Sequence, residues 1–116
     1  MVIESEIRQE PGEPFKRITV KAAREMLKES NVQLIDVRNP DEYAEGHIPG
    51  AKLIPVDDMF VRVDELDKDK RLLFTCAVGV RSALACEIAA AFGHTDLYNI
   101  EGGTEAWIES DYPVEM

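Results

Sequence analysis

The sequence predicts an α/β domain: a mainly parallel five-stranded sheet flanked by helices on both faces. Three observations lead there. Short apolar runs alternate with helix-forming stretches along the chain, the pattern of parallel strands joined by helical crossovers. The runs Val32 to Val37 and Leu72 to Thr75 are nearly continuous in apolar residues, as expected of strands covered on both faces. A chain of 116 residues makes one domain that buries about 60% or more of its unfolded surface, enough for a core without disulfide or metal staples.

The elements follow in order. Residues 1–15 carry Pro11, Gly12, Pro14 and many charges, and read as a loose N-terminal arm with a short strand near Val2-Ile3. The domain proper spans 16–116. Arg17-Ile18 is its first strand. Thr19 caps a helix over Val20 to Glu29, whose Val20, Ala23, Met26 and Leu27 share one face. The strand Val32 to Val37 carries Asp36, a buried acid expected to accept hydrogen bonds from loop amides. Arg38 is expected to pair with an acid such as Glu42 or Glu45. Asn39-Pro40-Asp41-Glu42 starts a short helix, with a cap, Pro at the first position and acids in the first turn. Gly46 ends it, and His47 reads as part of a structural turn rather than as a base. Ala51 to Ile54 is a strand. A helix over Asp58 to Val63 follows, capped by Asp57, with Met59, Phe60 and Val63 facing the core. Leu97 to Ile100 is the last strand. Glu101-Gly102-Gly103 permits close backbone approach, and Thr104 caps a final helix in which Trp107 packs as core.

Composition narrows the function classes. The net charge of −10 argues against nucleic acid and acidic membranes, which need basic patches. No apolar run approaches the roughly 20 residues of a membrane span. The acidic start Met1-Val2-Ile3-Glu4-Ser5-Glu6 lacks an apolar signal segment, so a cytoplasmic protein with two reduced cysteines is expected. The two cysteines and two histidines show no metal-ligand spacing.

The chemistry concentrates in Leu72-Leu73-Phe74-Thr75-Cys76-Ala77-Val78-Gly79-Val80-Arg81-Ser82, a strand, a tight loop and a helix start. The helix runs on through Phe92 to a stop at Gly93. A thiol at the C-terminal end of such a strand lies where open α/β sheets bind ligands. Loop amides of Ala77 to Ser82 turned inward, the helix dipole and the Arg81 charge each favour thiolate over thiol. The other reading is an inert cysteine buried at a strand end. Cys86, among alanines one turn on, reads as a small buried apolar residue, with a resolving redox partner as the rival role.

Five segments occur in a telling order: Leu34-Ile35-Asp36-Val37-Arg38, Asp41-Glu42-Tyr43, Gly46-His47-Ile48-Pro49-Gly50-Ala51, the loop Cys76 to Ser82, and Glu101-Gly102-Gly103 followed by Trp107. In these the chain strongly resembles the rhodanese (sulfurtransferase) domain family, from about Arg17 to Val114. The resemblance implies a rhodanese-like fold in which Cys76 carries a persulfide sulfur. It makes Ala77, Val78, Gly79, Val80, Arg81 and Ser82 the substrate-binding loop, with Asp36, Arg38 and Gly102 bordering the pocket. The implied reaction moves a sulfane sulfur from thiosulfate or a persulfide donor to a thiol acceptor, without metal or organic cofactor, and admits a sulfur-relay protein as partner.

Thiosulfate-using relatives place further basic residues near the loop, whereas Ala77, Val78 and Val80 are apolar here. That makes a protein-borne or low-molecular-weight persulfide a serious rival to free thiosulfate as donor, and the apolar positions suit contact with a protein, unless Val80 packs inward. Arg81 either contacts the donor or, the preferred role, pins the loop by bonding outward to an acid such as Glu101 or Asp36. Two rivals stand beside the transferase: a non-catalytic sulfur-carrier or interaction module, and a cysteine-dependent phosphatase or arsenate reductase. The latter use one more residue between Cys and Arg than the four present here. The reading expects Cys76 to present a deprotonated sulfur to solvent, ringed by inward N–H groups.

Overall fold

The computed structural model describes residues 6–116, so the strand expected at Val2-Ile3 lies outside the described residues. The strands are β1 (Ile7–Arg8), β2 (Lys16–Ile18), β3 (Val32–Asp36), β4 (Lys52–Leu53), β5 (Arg71–Thr75) and β6 (Leu97–Ile100). The α-helices are α1 (Val20–Met26), α2 (Pro40–Glu45), α3 (Met59–Arg62), α4 (Val80–Ala91) and α5 (Gly103–Glu109). One sheet has the order β1-β2-β6-β5-β3-β4. All neighbours run parallel except β1, which pairs antiparallel with β2. The sheet therefore has six strands rather than five. The extra one comes from the charged arm, which turns back so that Ile7 sits opposite Ile18.

The sheet divides the core into two. Successive strand residues point to opposite faces. Thus Leu72 and Phe74 join Ala85, Cys86, Ile88 and Ala89 of α4 on one side, together with Phe15 and Met59. Leu34 and Leu73 join Ala22, Ala23 and Met26 of α1 and Trp107 of α5 on the other. This is the two-faced covering that the apolar runs demand.

Local chemistry sets the helix starts. The Thr19 hydroxyl accepts the Ala22 N–H at 3.1 Å, so α1 begins where expected, though it ends at Met26 rather than Glu29. Pro40 opens α2, and Glu42 Oε1 accepts the Asn39 N–H at 2.9 Å. The segment before β5 departs from the expected single helix. It is α3 between two 3₁₀ turns, and Asp57 lies inside the first turn instead of capping. Met59 is buried, but Phe60 is 63% exposed and lies edge-on to Phe92, 6.0 Å away between ring centres. Val63 packs against the core beside Met59 as expected, so of the three only Phe60 departs. Thr104 likewise lies within α5, one residue past its start.

Candidate active site

The geometry around Cys76 begins with β5. Its last residue, Thr75, lies opposite Asp36, and Val37 donates to the Thr75 carbonyl at 2.9 Å. The chain then leaves the sheet and meets the N-terminus of α5. Thr104 N–H donates to the Cys76 carbonyl at 2.8 Å, and Glu105 N–H to the Ala77 carbonyl at 3.1 Å. These are first-turn donors with no partner in their own helix. Drawing both carbonyls toward α5 leaves the following N–H groups free to face the sulfur. Gly103 lets the two backbones meet: a Cβ there would lie 2.6 Å from Ala77 O and closer still to Cys76 O.

Gly79 completes the loop. Its φ of +102° belongs to the left-handed region, which a residue without a Cβ enters at no steric cost. In that conformation its N–H donates to Cys76 Sγ at 3.1 Å. The Ser82 hydroxyl, in the first turn of α4, lies 3.3 Å from the same sulfur. Burial alone pushes the Cys76 thiol up. The Ser82 hydroxyl and the backbone N–H groups of Ser82, Gly79 and Val78 together outweigh burial and bring it below its ordinary value. Cys86 has no such partners, and burial pushes its thiol well up. It is a fully buried member of the core, which leaves the resolving role without access.

One expectation needs correction here. Cys76 is only 1% exposed, so the sulfur lies beneath the loop instead of facing open solvent. The N–H groups do converge on it. The site is a covered thiol in an amide bowl.

The charged residues are paired with one another. Arg81 donates from both terminal nitrogens to Glu42, at 2.8 and 2.9 Å, and so ties α4 to α2. It bonds outward, but to neither Glu101 nor Asp36. Glu101 instead binds Arg8 of β1 at 2.5 and 3.1 Å. Arg38 does not reach Glu42 or Glu45. It turns back onto Asp36 at 2.7 Å and donates to the Gly46 carbonyl at 2.9 Å. Asp36 also accepts the Arg38 N–H at 3.0 Å, one of the loop amides expected for it. Two-residue spacing at a buried strand end makes this closed ring possible. His47 stacks on Tyr43, 3.7 Å between ring centres, and its Nδ1 meets the Tyr43 carbonyl at 2.9 Å.

Beside the loop opens a cavity of about 360 Å³, walled by Arg38, Glu42, Ala77, Thr104, Glu105 and Ile108 among others. Of the residues expected around the site, Arg38 and Ala77 line this cavity. Asp36 is fully buried behind Arg38, and Gly102 sits against Gly79, so neither forms its wall. Val78 and Val80 are 54% and 74% exposed, so Val80 points outward rather than into the core. Sequence reasoning missed Glu42 as the partner of Arg81, Gly103 as the contact glycine, and Asn99. The last is fully buried, accepts from Ser82 Oγ at 2.5 Å and donates to the Gly79 carbonyl at 3.1 Å. A lone polar residue inside Leu97-Tyr98-Asn99-Ile100 was the available signal.

A family profile described as the Rhodanese-like domain matches residues 19–110. The chain belongs to the rhodanese-like domain family. The Bacillus subtilis protein YqhL is 41% identical over 75 residues, which are 65% of this chain and 60% of that protein. The thiosulfate sulfurtransferase GlpE of Pseudomonas paraeruginosa is 34% identical over 104 residues, covering 90% of this chain and 93% of GlpE. Among solved structures, a rhodanese-related protein from Thermoplasma volcanium superposes with a TM-score of 0.78 at 33% identity, covering 85% of this chain and 96% of that one. The rhodanese-like architecture is therefore shared with the Thermoplasma volcanium protein.

Proposed function

We propose that the protein is a sulfurtransferase that moves a sulfane sulfur through a persulfide on Cys76. The observation that carries this reading is the Gly79 N–H aimed at Cys76 Sγ at 3.1 Å, in a loop whose other amides also favour the anion. Such donors stabilise a thiolate before the reaction and a persulfide anion after it. The Cys76 thiolate attacks the outer sulfur of the donor. The donor's S–S bond breaks, and its electron pair leaves with sulfite if thiosulfate is the donor, or with a thiolate if a persulfide is. An acceptor thiolate then attacks the outer sulfur of Cys76–S–S⁻, and Cys76 departs as thiolate. This is covalent catalysis in two halves.

A persulfide donor fits this chain better than free thiosulfate. Both arginines near the loop are already paired, Arg81 with Glu42 and Arg38 with Asp36. A dianion approaching a chain of net charge −10 therefore finds no unpaired guanidinium at the loop. The exposed Val78 and Val80 suit an apolar or protein-borne donor. The test compares turnover with thiosulfate and with small-molecule persulfides, using a thiol acceptor, in wild type and Cys76→Ser. The reading expects turnover that Cys76→Ser abolishes and a higher kcat/KM for persulfides. Sulfur uptake without transfer to any acceptor supports the carrier module instead. Hydrolysis of an aryl phosphate without sulfur uptake supports the phosphatase reading.

A further inference from the structure

The bonds around Ser82 assign its proton. The Gly79 carbonyl can only accept, so the amide nitrogen of Asn99 must face it, at 3.1 Å. That orientation turns Asn99 Oδ1 toward Ser82 Oγ, 2.5 Å away. Oδ1 can only accept, so the Ser82 hydroxyl is the donor. A hydroxyl has one proton. With that proton on Asn99, the 3.3 Å contact between Ser82 Oγ and Cys76 Sγ has the thiol S–H as its donor. The geometry is that of a protonated Cys76. Yet the lowered pKa of this thiol depends in part on Ser82 donating to sulfur.

We propose that Asn99 is a positioning residue that holds the Ser82 hydroxyl proton while Cys76 is a neutral thiol and releases it to the sulfur when Cys76 becomes an anion. The thiol proton leaves to water, no covalent bond of Ser82 breaks, and its O–H rotates about Cβ–Oγ, exchanging the hydrogen bond to Asn99 Oδ1 for one to Sγ. Asn99 keeps Gly79 in place throughout, because its Nδ2 bond is untouched. The register makes this possible. Asn99 lies opposite Phe74 and so on the face covered by α4, where the fully buried Ser82 meets it. The chemical consequence is a moderated thiol. Nucleophilicity falls as thiol pKa falls, so competition from Asn99 weakens the Ser82 hydrogen bond to the thiolate and keeps that thiolate reactive.

The charged and titratable groups around the sulfur are Arg81 with Glu42, Asp36 with Arg38, Glu105 on α5, and Cys86 on α4. None of them bonds to Ser82 or Asn99. The inference rests on the reading that Cys76 reacts as an anion, but its test measures ionisation and not sulfur transfer, so the two fail separately.

The test is a double-mutant cycle read by the ultraviolet absorbance of the thiolate against pH, in wild type, Ser82→Ala, Asn99→Ala and the double variant. Loss of the Gly79 anchor is common to both Asn99→Ala proteins and cancels. Removing the Ser82 hydroxyl should raise the Cys76 pKa more in the Asn99→Ala background than in wild type. The expected excess is about three- to tenfold in acid dissociation constant, the size of one freed hydrogen bond. An equal or smaller rise overturns the proposal. In an Asn99→Asp background the carboxylate should hold the proton more firmly, so Ser82→Ala should leave the pKa unchanged, and a large rise there also overturns it. Should the Asn99 variants not fold, the side-chain carbonyl resonance of Asn99 in the wild type should titrate with the Cys76 midpoint and stop titrating in Cys76→Ser. A resonance that stays fixed through the midpoint contradicts the proposal.

Discussion

At the residue scale, Cys76 and Glu42 carry opposite lessons about how a side chain gets its properties. Cys76 is defined by its own loop, and its lowered pKa follows from the Ser82 hydroxyl and the N–H donors within six residues, which outweigh burial. Its alkylation by iodoacetamide should therefore persist to lower pH than that of a cysteine in an unfolded peptide, whose pKa is about 8.5. A profile centred at or above the peptide's contradicts this. The sign of the linkage follows: the folded pKa is depressed, so thiolate stabilisation is fully present above the unfolded value and is lost as pH falls through the folded one. Glu42 is defined by a residue far along the chain. Arg81 holds its carboxyl down at about 2. The pair's contribution is thus present above about 4.5 and lost as pH falls toward 2. Glu42→Gln should cost about 0.2–1 kcal/mol near neutrality, as for a part-exposed ion pair, and the gap to wild type in urea midpoint should close across that acid window. The variant also frees the Arg81 charge, so KM for thiosulfate should fall relative to a persulfide donor. An unchanged ratio means that Arg81 does not govern donor choice. The sequence marked Glu42 as a first-turn acid of α2, which it is, but a pairing across 39 positions leaves no trace in local pattern. Asn99 was legible only as an oddity, a polar residue in a buried strand with no partner yet visible.

At the element scale, the strand–loop–helix unit of β5 and α4 was readable because every part of it is local: apolar strand, left-handed glycine, helix formers, terminal glycine. The brace supplied by α5 was half readable. The glycine pair pointed to close backbone approach, while only the folded structure tells which glycine makes it. Gly103→Ala should destabilise by at least about 1 kcal/mol in chemical denaturation, because the new methyl meets the Cys76 and Ala77 carbonyls and φ is +59°. It should also slow sulfur uptake by moving the loop. Gly93→Ala, at φ +96° with nothing within 4 Å, supplies the comparison for conformational strain alone and should cost less. Equal costs at the two positions contradict the bracing role of α5. The 3₁₀ breaks around α3 were not legible, because one buried methionine and one exposed phenylalanine look alike in a hydrophobic pattern.

At the scale of the whole molecule, the alternation of strands and helices was enough to give two covered faces and a parallel sheet. The sixth strand escaped because a charged, proline-bearing arm has no strand signature. Its pairing comes from the Ile7–Ile18 register and from Arg8 reaching Glu101. Among the described residues no helix is long and apolar enough to cross a membrane. The net charge of −10 has a kinetic consequence. Screening lengths fall from about 30 Å at 0.01 M salt to about 10 Å at 0.1 M. Reaction with thiosulfate should accelerate over that range, while reaction with an uncharged persulfide donor should stay flat. Equal salt responses would remove the molecular field from donor selection.

The central claim, that loop amides hold an anionic sulfur at position 76, is tested most directly by mass. The purified protein is treated with a persulfide donor, desalted and weighed intact, and the site is located by peptide mapping. The account predicts one added sulfur, on Cys76, absent from Cys76→Ser and discharged by an acceptor thiol. A protein that gains no sulfur, or gains it on Cys86, contradicts it.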